Sequence, residues 1–292
     1  MKANTGCSLG RHSRPTQLQR EVTDALRQQR IFPKKRLGQN FTIDDSFLKS
    51  MMEYADLNSN DIVLEVGAGL GFLTRLLATR ARKVIAIEVD SQLIAILRRR
   101  FSDAHNVELI EHDILTADVS EFDKVVSTPP YSISSPLLFW LLDTQFKIAV
   151  MTLQEEFAKR LTAQVGSKDY SRLTVATYRR ADVELLDHVS RDCFYPPPDV
   201  DSTIVRLKPK PTPFRVNDET TFFGVLQAVF TQPNRKLRNA IMPFLLKRGV
   251  VKEEAQVFAD SLTFHDKRVR ELAPEDFGAL ANEITEKNRL LR

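Results

Sequence analysis

A chain of 292 residues, 42% hydrophobic and 27% charged, is long enough for one large core and a second, smaller one. No apolar run approaches the ~18 residues of a membrane-spanning helix, and Cys7 and Cys193 are too far apart to suggest a disulfide framework or a cysteine zinc site, so a soluble protein of a reducing compartment is expected. The net charge of +4 is unevenly held: residues 1–36 carry nine Lys or Arg against Glu21 and Asp24, a surplus of +7 that leaves −3 for the remainder. Such an arm fits either a phosphate-seeking extension or a solvated tail.

Leu18, Val22, Ala25 and Leu26 have the spacing of one helical face over 17–30, whereas residues 1–16 show no amphipathic face of the kind a mitochondrial presequence carries. Pro33 interrupts, and the basic run Lys34-Lys35-Arg36 begins. Phe47, Leu48, Met51, Met52 and Tyr54 predict a second helix capped by Asp44 or Asp45. From Asp61 short β-branched runs alternate with helix-length stretches: strands at 62–66, 84–87, 107–110, 125–126 and 148–153, helices at 70–79, 91–101 and 136–142. Two further runs, 182–189 and 202–207, lie close together, so the far edge of the sheet is expected to be antiparallel. Six of the 14 prolines fall between Pro196 and Pro213 and mark a boundary near residue 210. Beyond it the pattern is helical at 221–230, 235–247, 253–261 and 274–287. The expectation is an α/β fold, a mostly parallel seven-stranded sheet with an antiparallel edge strand, followed by a small all-helical domain. The predicted divisions are a basic arm over 1–30, a Rossmann-like domain over 31–210 and the helical domain over 211–292.

The turn L-E-V-G-A-G-L-G, Leu64 to Gly71, follows the first of these strands and opens a helix. Gly67, Gly69 and Gly71 allow a tight turn and close approach of a ligand to backbone amides at a helix N-terminus. A dinucleotide site would place its third glycine where Phe72 stands, which argues against NAD. An acid, Glu88 followed by Val89, ends the second strand, placed to accept from ribose hydroxyls; another, Asp113 followed by Ile114, ends the third, placed to accept from an adenine amine. Glycine turn, acid and acid at three successive strand ends are the pattern of a methyltransferase that uses S-adenosylmethionine.

At the fourth strand end stands S-T-P-P-Y-S-I-S-S-P, Ser127 to Pro136. Thr128, Pro129, Pro130 and Tyr131 resemble the loop of enzymes that methylate an exocyclic base amine. The lone pair of an adenine amine is delocalised into the ring, so the site must accept hydrogen bonds from that amine. Proline removes donors and fixes the direction of carbonyl acceptors, and Tyr131 offers a surface for a base that has left its own stack.

Taken with K-K-R-L-G-Q-N-F (34–41), D-Y-S-R-L (169–173), F-Y-P-P-P-D-V-D-S (194–202) and N-R-K-L-R-N (234–239), these segments occur in the order seen in the ribosomal small-subunit RNA adenine dimethyltransferases, which the chain resembles from about Arg30 onward. The F-x-P-x-P-x-V-D-S segment and the helical tail favour this branch over the related erythromycin-resistance enzymes. The resemblance implies S-adenosylmethionine as cofactor and no metal. It places Gln39, Asn40, Thr42, Gly67, Gly69, Glu88, Val89, Asp113, Ile114 and Thr128 at the cofactor or target amine, and Tyr131 and Phe194 at the flipped adenine. Phe194 reads equally well as a core aromatic. Lys34, Lys35, Arg36, Arg235, Lys236 and Arg238 are expected to meet RNA. The implied reaction is N6,N6-dimethylation of two neighbouring adenines in the terminal hairpin of small-subunit RNA, by a cytoplasmic monomer acting on the pre-small subunit.

One position departs from the family: residue 128 is threonine where the family has asparagine. A hydroxyl accepts less far from the backbone than a carboxamide oxygen does, and it also donates. A second expectation therefore stands beside the first: an RNA-binding assembly factor of this fold with weak or absent methyl transfer.

Overall fold

The computed structural model describes residues 15–290; Cys7 and the basic residues Lys2, Arg11 and Arg14 lie outside the described residues. Contacts divide the chain into two compact units, one running to Ala158 and resuming over Asp182–Pro209, the other formed by Lys159–Ala181 and the residues from Lys210 onward. Residues 159–181, placed with the first domain on sequence grounds, thus group with the C-terminal helices.

The first unit is built on a seven-stranded sheet. Its strands are β2 (Ile62–Val66), β3 (Lys83–Glu88), β4 (Val107–Glu111), β5 (Lys124–Ser127), β6 (Ile148–Gln154), β7 (Ala181–Val189) and β9 (Ser202–Pro209), in the order β4-β3-β2-β5-β6-β9-β7. A separate two-stranded ribbon pairs β1 (Phe41–Thr42) with β8 (Phe194–Tyr195), placing Phe41 opposite Tyr195 and Thr42 opposite Phe194. The strands from β4 to β6 run parallel, with Val63 opposite Val84 and Val125 opposite Ala149. β9 joins β6 antiparallel, Met151 facing Val205. Val63, Leu64, Val84 to Ile87, Val125 and Val126 are buried, as a parallel sheet covered on both faces demands.

Helices α1 (Gln17–Gln28), α2 (Asp45–Tyr54), α3 (Phe72–Ala78), α4 (Ser91–Arg100), α5 (Ser134–Leu142) and α6 (Glu155–Leu161) precede β7. Asp44 caps α2 by accepting from the N–H groups of Ser46 at 2.8 Å and Phe47 at 3.1 Å, and Asp90 caps α4 through Gln92 N–H. Helix α5 begins two residues before the proline that was expected to open it, because Pro136 occupies the first turn, where its missing N–H would have had no intrahelical partner. The stretch read as a basic arm contributes to the core: Leu18, Val22 and Leu26 of α1 are buried in the same cluster as Phe41, Phe47 and Val63.

The second unit contains α7 (Arg172–Arg180), α8 (Glu219–Val229), α9 (Leu237–Ala240), α10 (Met242–Lys247), α11 (Lys252–Asp260) and α12 (Pro274–Leu290). They enclose a core of their own around Phe222, Leu237, Phe258 and Phe277. The helix expected over 235–247 is two helices, since Pro243 in the first turn of α10 cannot donate back to the preceding turn. Helix α7 gave no apolar period because three of its buried positions are Thr174, Thr177 and Arg179. Arg179 makes a two-pronged pair to the Glu219 carboxylate through its two terminal nitrogens, at 2.8 and 2.6 Å, while its buried Nε has no partner.

Candidate active site

In the first unit the strand order reverses between β2, which leads to β3 and β4, and β5, which leads to β6. In an open α/β sheet the crevice beyond the carboxyl ends of strands at such a reversal is where ligands bind. A cleft of about 850 Å³, its open mouth included, lies there, lined from β1 and the segment before it, from β2, β3, β6 and β8, and from the stretches that follow β2, β3 and β5.

The glycine turn forms one wall. Gly67, Gly69 and Gly71 all have φ in the left-handed region, between 58° and 80°, and the N–H groups of Gly67 and Ala68 both donate to the Ile87 carbonyl, fastening the turn to β3. Glu88 closes the floor. Its carboxylate accepts from the N–H groups of Gly69 at 2.9 Å, Val89 at 3.0 Å and Asp90 at 2.9 Å. Burial raises its pKa, against the pull of those three donors. Oε1 takes two of these donors and Oε2 one, so a lone pair on Oε2 is left for a further donor, which suits a ribose hydroxyl.

A third carboxylate was not anticipated. Glu65, on β2, lines the cleft, is fully buried, and its Oε2 has no hydrogen-bond partner. Burial, reinforced by the nearby Glu88 charge, pushes its pKa up to about 8. An acid inside the otherwise apolar strand I-V-L-E-V was the signal available in sequence. A buried acceptor of this kind fits the ammonium of an amino-acid moiety, and together with Glu88 it makes a donor-seeking site matched to a nucleoside that carries an amino acid, such as S-adenosylmethionine.

The opposite wall is the loop after β5. Ser127 Oγ donates to the Val66 carbonyl at 2.6 Å, tying the ends of β5 and β2 together. The Pro130 ring then lies between two glycines from distant segments: a Cβ on Gly67 would stand 3.2 Å from it and one on Gly38 3.3 Å. The Pro130 carbonyl accepts from Ile133 N–H, whereas among the described residues no backbone N–H reaches the Pro129 carbonyl. Thr128 and Pro129 both line the cleft. Tyr131 lines it too, held through its hydroxyl by buried Ser202 Oγ. Phe194 is both core and wall: it is 4% exposed, packs edge-on against Phe47 with ring centroids 5.7 Å apart, and faces the cleft.

The segment leading into the cleft is clamped. Asp90 accepts from Lys34 Nζ at 2.7 Å and from Gln39 Nε2 at 2.7 Å, and Gln39 Oε1 accepts from Lys34 N–H. Burial would raise the Asp90 pKa, but the hydrogen bonds from Lys34 and Gln39 prevail and hold it below the usual range. The side chain of Gln39 is thereby committed to fixing the loop, and that of Lys34 is turned from solvent to Asp90, which differs from the outward basic role expected of it. Asn40, whose Nδ2 donates to the Gly38 carbonyl at 3.2 Å, and Thr42 line the cleft, as does Val89.

Asp113 and Ile114 follow β4 at the same end of the sheet but are not part of the cleft wall. Asp113 is exposed and accepts from Leu115 N–H at 3.0 Å, and Ile114 is buried. In the second unit Arg235 is exposed, whereas Lys236 is paired with Asp266 at 2.6 Å and Arg238 lies 3.6 Å from Asp266 and 3.9 Å from Asp260. Lys35 and Arg36 are exposed.

Comparisons with known proteins point to one family. Residues 32–286 match the family model described as ribosomal RNA adenine dimethylase. A Methanosarcina mazei protein named probable ribosomal RNA small subunit methyltransferase A is 46% identical over 248 residues, 84% of this chain and 91% of its own. A Methanopyrus kandleri protein of the same name is 43% identical over 258 residues, 87% and 93% of the two chains. Among solved structures, a dimethyladenosine transferase from Plasmodium falciparum superposes with a TM-score of 0.71 at 30% identity, over 85% of this chain and 98% of that one. The 23S rRNA methyltransferase ErmE reaches 0.60 at 30% identity, over 84% and 100%. The chain belongs to the ribosomal RNA adenine dimethylase family, S-adenosylmethionine-dependent enzymes that methylate adenine in ribosomal RNA.

Proposed function

We propose that this protein transfers methyl groups to N6 of two adjacent adenines in the terminal hairpin of small-subunit ribosomal RNA, working as a cytoplasmic monomer on the assembling subunit. The observation that carries the proposal is the meeting, in one cleft, of an acceptor floor at Glu88 with an acceptor loop at Thr128-Pro129 and aromatic walls at Tyr131 and Phe194. No helix among the described residues is long and apolar enough to cross a membrane.

S-adenosylmethionine, when bound, supplies an electrophilic methyl group. Glu88 Oε2 would accept from a ribose hydroxyl, the Gly67–Gly69 turn would admit it close to the backbone, and Glu65 would accept from its ammonium. Asp113 would accept from its adenine amine with the oxygen not used by Leu115. On the substrate side, the base enters unstacked and is held between the Tyr131 ring and the edge of Phe194. The Pro129 carbonyl and the Thr128 hydroxyl accept from the target amine, drawing its lone pair out of conjugation with the ring and toward the methyl group. Both acceptors are set before the substrate arrives, because Ser127 and Pro130 fix the loop that bears them. Lys35, Arg36 and Arg235 supply exposed positive charge for phosphates, with Lys236 and Arg238 available once their carboxylate pairs exchange for RNA.

The second reading, an assembly factor that binds RNA and methylates poorly, rests on Thr128 alone. Incubation with unmodified small ribosomal subunits and tritiated S-adenosylmethionine separates the two. Two dimethylated adenines, located by mass spectrometry of the RNA, are expected; cofactor binding without incorporation would leave only the second reading.

A further inference from the structure

Phe32 is 81% exposed, the most exposed large hydrophobic residue among those described. Its neighbours are fixed. On one side Ile31 is buried and its N–H donates to the Leu26 carbonyl at 2.9 Å, ending α1. On the other, Pro33 restricts the backbone, and Lys34 is bound at both its N–H and its ammonium, the latter to buried Asp90. A bare phenyl ring is therefore displayed from a rigid segment. Two further features lie beside it: exposed Lys35 and Arg36, and, from Leu37 onward, the cleft wall itself. Val89, next to Asp90, is 53% exposed on the same cleft.

An exposed aromatic ring has no reason within the fold to be held so firmly. We infer that Phe32 is a stacking platform for an unpaired RNA base neighbouring the target adenine, a subsite outside the methyl-transfer cleft, with Lys35 and Arg36 neutralising the adjoining phosphates. Every base presents a π-face, so the contact is tolerant of sequence but requires a single strand. It would favour a hairpin loop over a duplex and hold the strand while a neighbouring base turns into the cleft. This rests on the proposal that the substrate is RNA.

The test uses the full chain and a synthetic RNA hairpin with an unpaired loop, without cofactor, against a blunt duplex of equal length. Phe32→Trp is expected to change its emission on binding the hairpin and much less on binding the duplex, relative to wild type, which carries only Trp140. Phe32→Ala is expected to weaken hairpin binding roughly tenfold, with Phe32→Tyr restoring it and the affinity for S-adenosylmethionine unchanged. Equal hairpin affinity for wild type and Phe32→Ala, or equal responses to hairpin and duplex, overturns the inference. Emission that varies with protein concentration in the absence of RNA also overturns it, since a second copy would then cover the ring. Because binding is read without turnover, a wild-type protein that fails to methylate while Phe32→Trp still responds refutes the proposed reaction and not this subsite.

Discussion

The Pro130 ring rests against Gly67 so closely that a β-carbon on residue 67 would meet it at 3.2 Å. The contact joins the loop proposed to meet the substrate to the glycine turn proposed to meet the cofactor, so the position of one is set by the other. Gly67 also has φ of 77°, which costs a residue with a β-carbon roughly 1–2 kcal/mol. Gly67→Ala is expected to lower both cofactor affinity and turnover at least tenfold while thermal unfolding shifts by only a few degrees. Isothermal titration with S-adenosylmethionine and a melting curve check this; a variant that melts normally and binds normally would mean that the loop yields freely.

Thr128 offers the shorter acceptor at a position where the family carries asparagine. Removing a well-placed acceptor in a preorganised site costs ~2.7–4 kcal/mol, or roughly a hundred- to thousandfold in rate. Thr128→Asn is therefore expected to raise kcat, and Thr128→Val, which keeps the shape without the hydroxyl, to lower it, with cofactor affinity constant in both. A rate for Thr128→Asn at or below wild type would show a loop rebuilt around threonine.

Glu65 links the cleft to stability. Its pKa in the folded chain, about 8, lies above the ordinary value of 4.5, so folding favours the protonated form. Its contribution is complete below pH 4.5 and is lost as pH rises through 8, at up to roughly 1.4 kcal/mol per pH unit. Glu65→Gln, which stays neutral, should melt close to wild type at pH 5 and clearly above it at pH 8.5. The same variant should bind S-adenosylmethionine more weakly at pH 8.5, having lost a carboxylate for the ammonium. Parallel melting curves for the two proteins across that range would contradict the assignment.

Tyr131 does two things that mutation can separate. Burial raises its pKa, and its hydroxyl is used by Ser202, so the ring is steered by a bond that makes no contact with substrate. Tyr131→Phe keeps the ring and is expected to cost severalfold in turnover. Tyr131→Ala also loses base stacking, worth about 1–3 kcal/mol, and is expected to cost ten- to a hundredfold. Single-turnover rates on the hairpin RNA distinguish the two; equal losses would assign the effect to the hydroxyl alone.

Much of this site was written in short local segments. The strands 62–66 and 148–153 announce themselves by composition, and the glycine turn, Glu88 and T-P-P-Y sit at strand ends because a parallel sheet delivers its loops to one edge. Glu65 was not anticipated, since a strand's period says that a residue is buried and not what it is buried against. Gln39, which carried a family expectation of cofactor contact, lines the cleft, and its side chain also clamps the loop through Asp90, a partner 51 residues away, which its own segment does not reveal. Phe194 could be core or wall from sequence, and it is both, because the β1–β8 ribbon sets it between Phe47 and the cleft.

What the sequence determined by itself was the alternation of elements, the glycine turn after β2 and the proline-rich turn after β5, all of which depend on residues within a few positions of one another. The tertiary structure decided the rest: that α1 belongs to the core, that residues 159–181 group with the C-terminal helices, that Lys34 is turned inward, and that Pro130 is held by two glycines 63 and 92 positions away. These are long-range contacts, and a chain's local pattern carries no record of which distant surface will satisfy a buried charge or fill the space beside a ring.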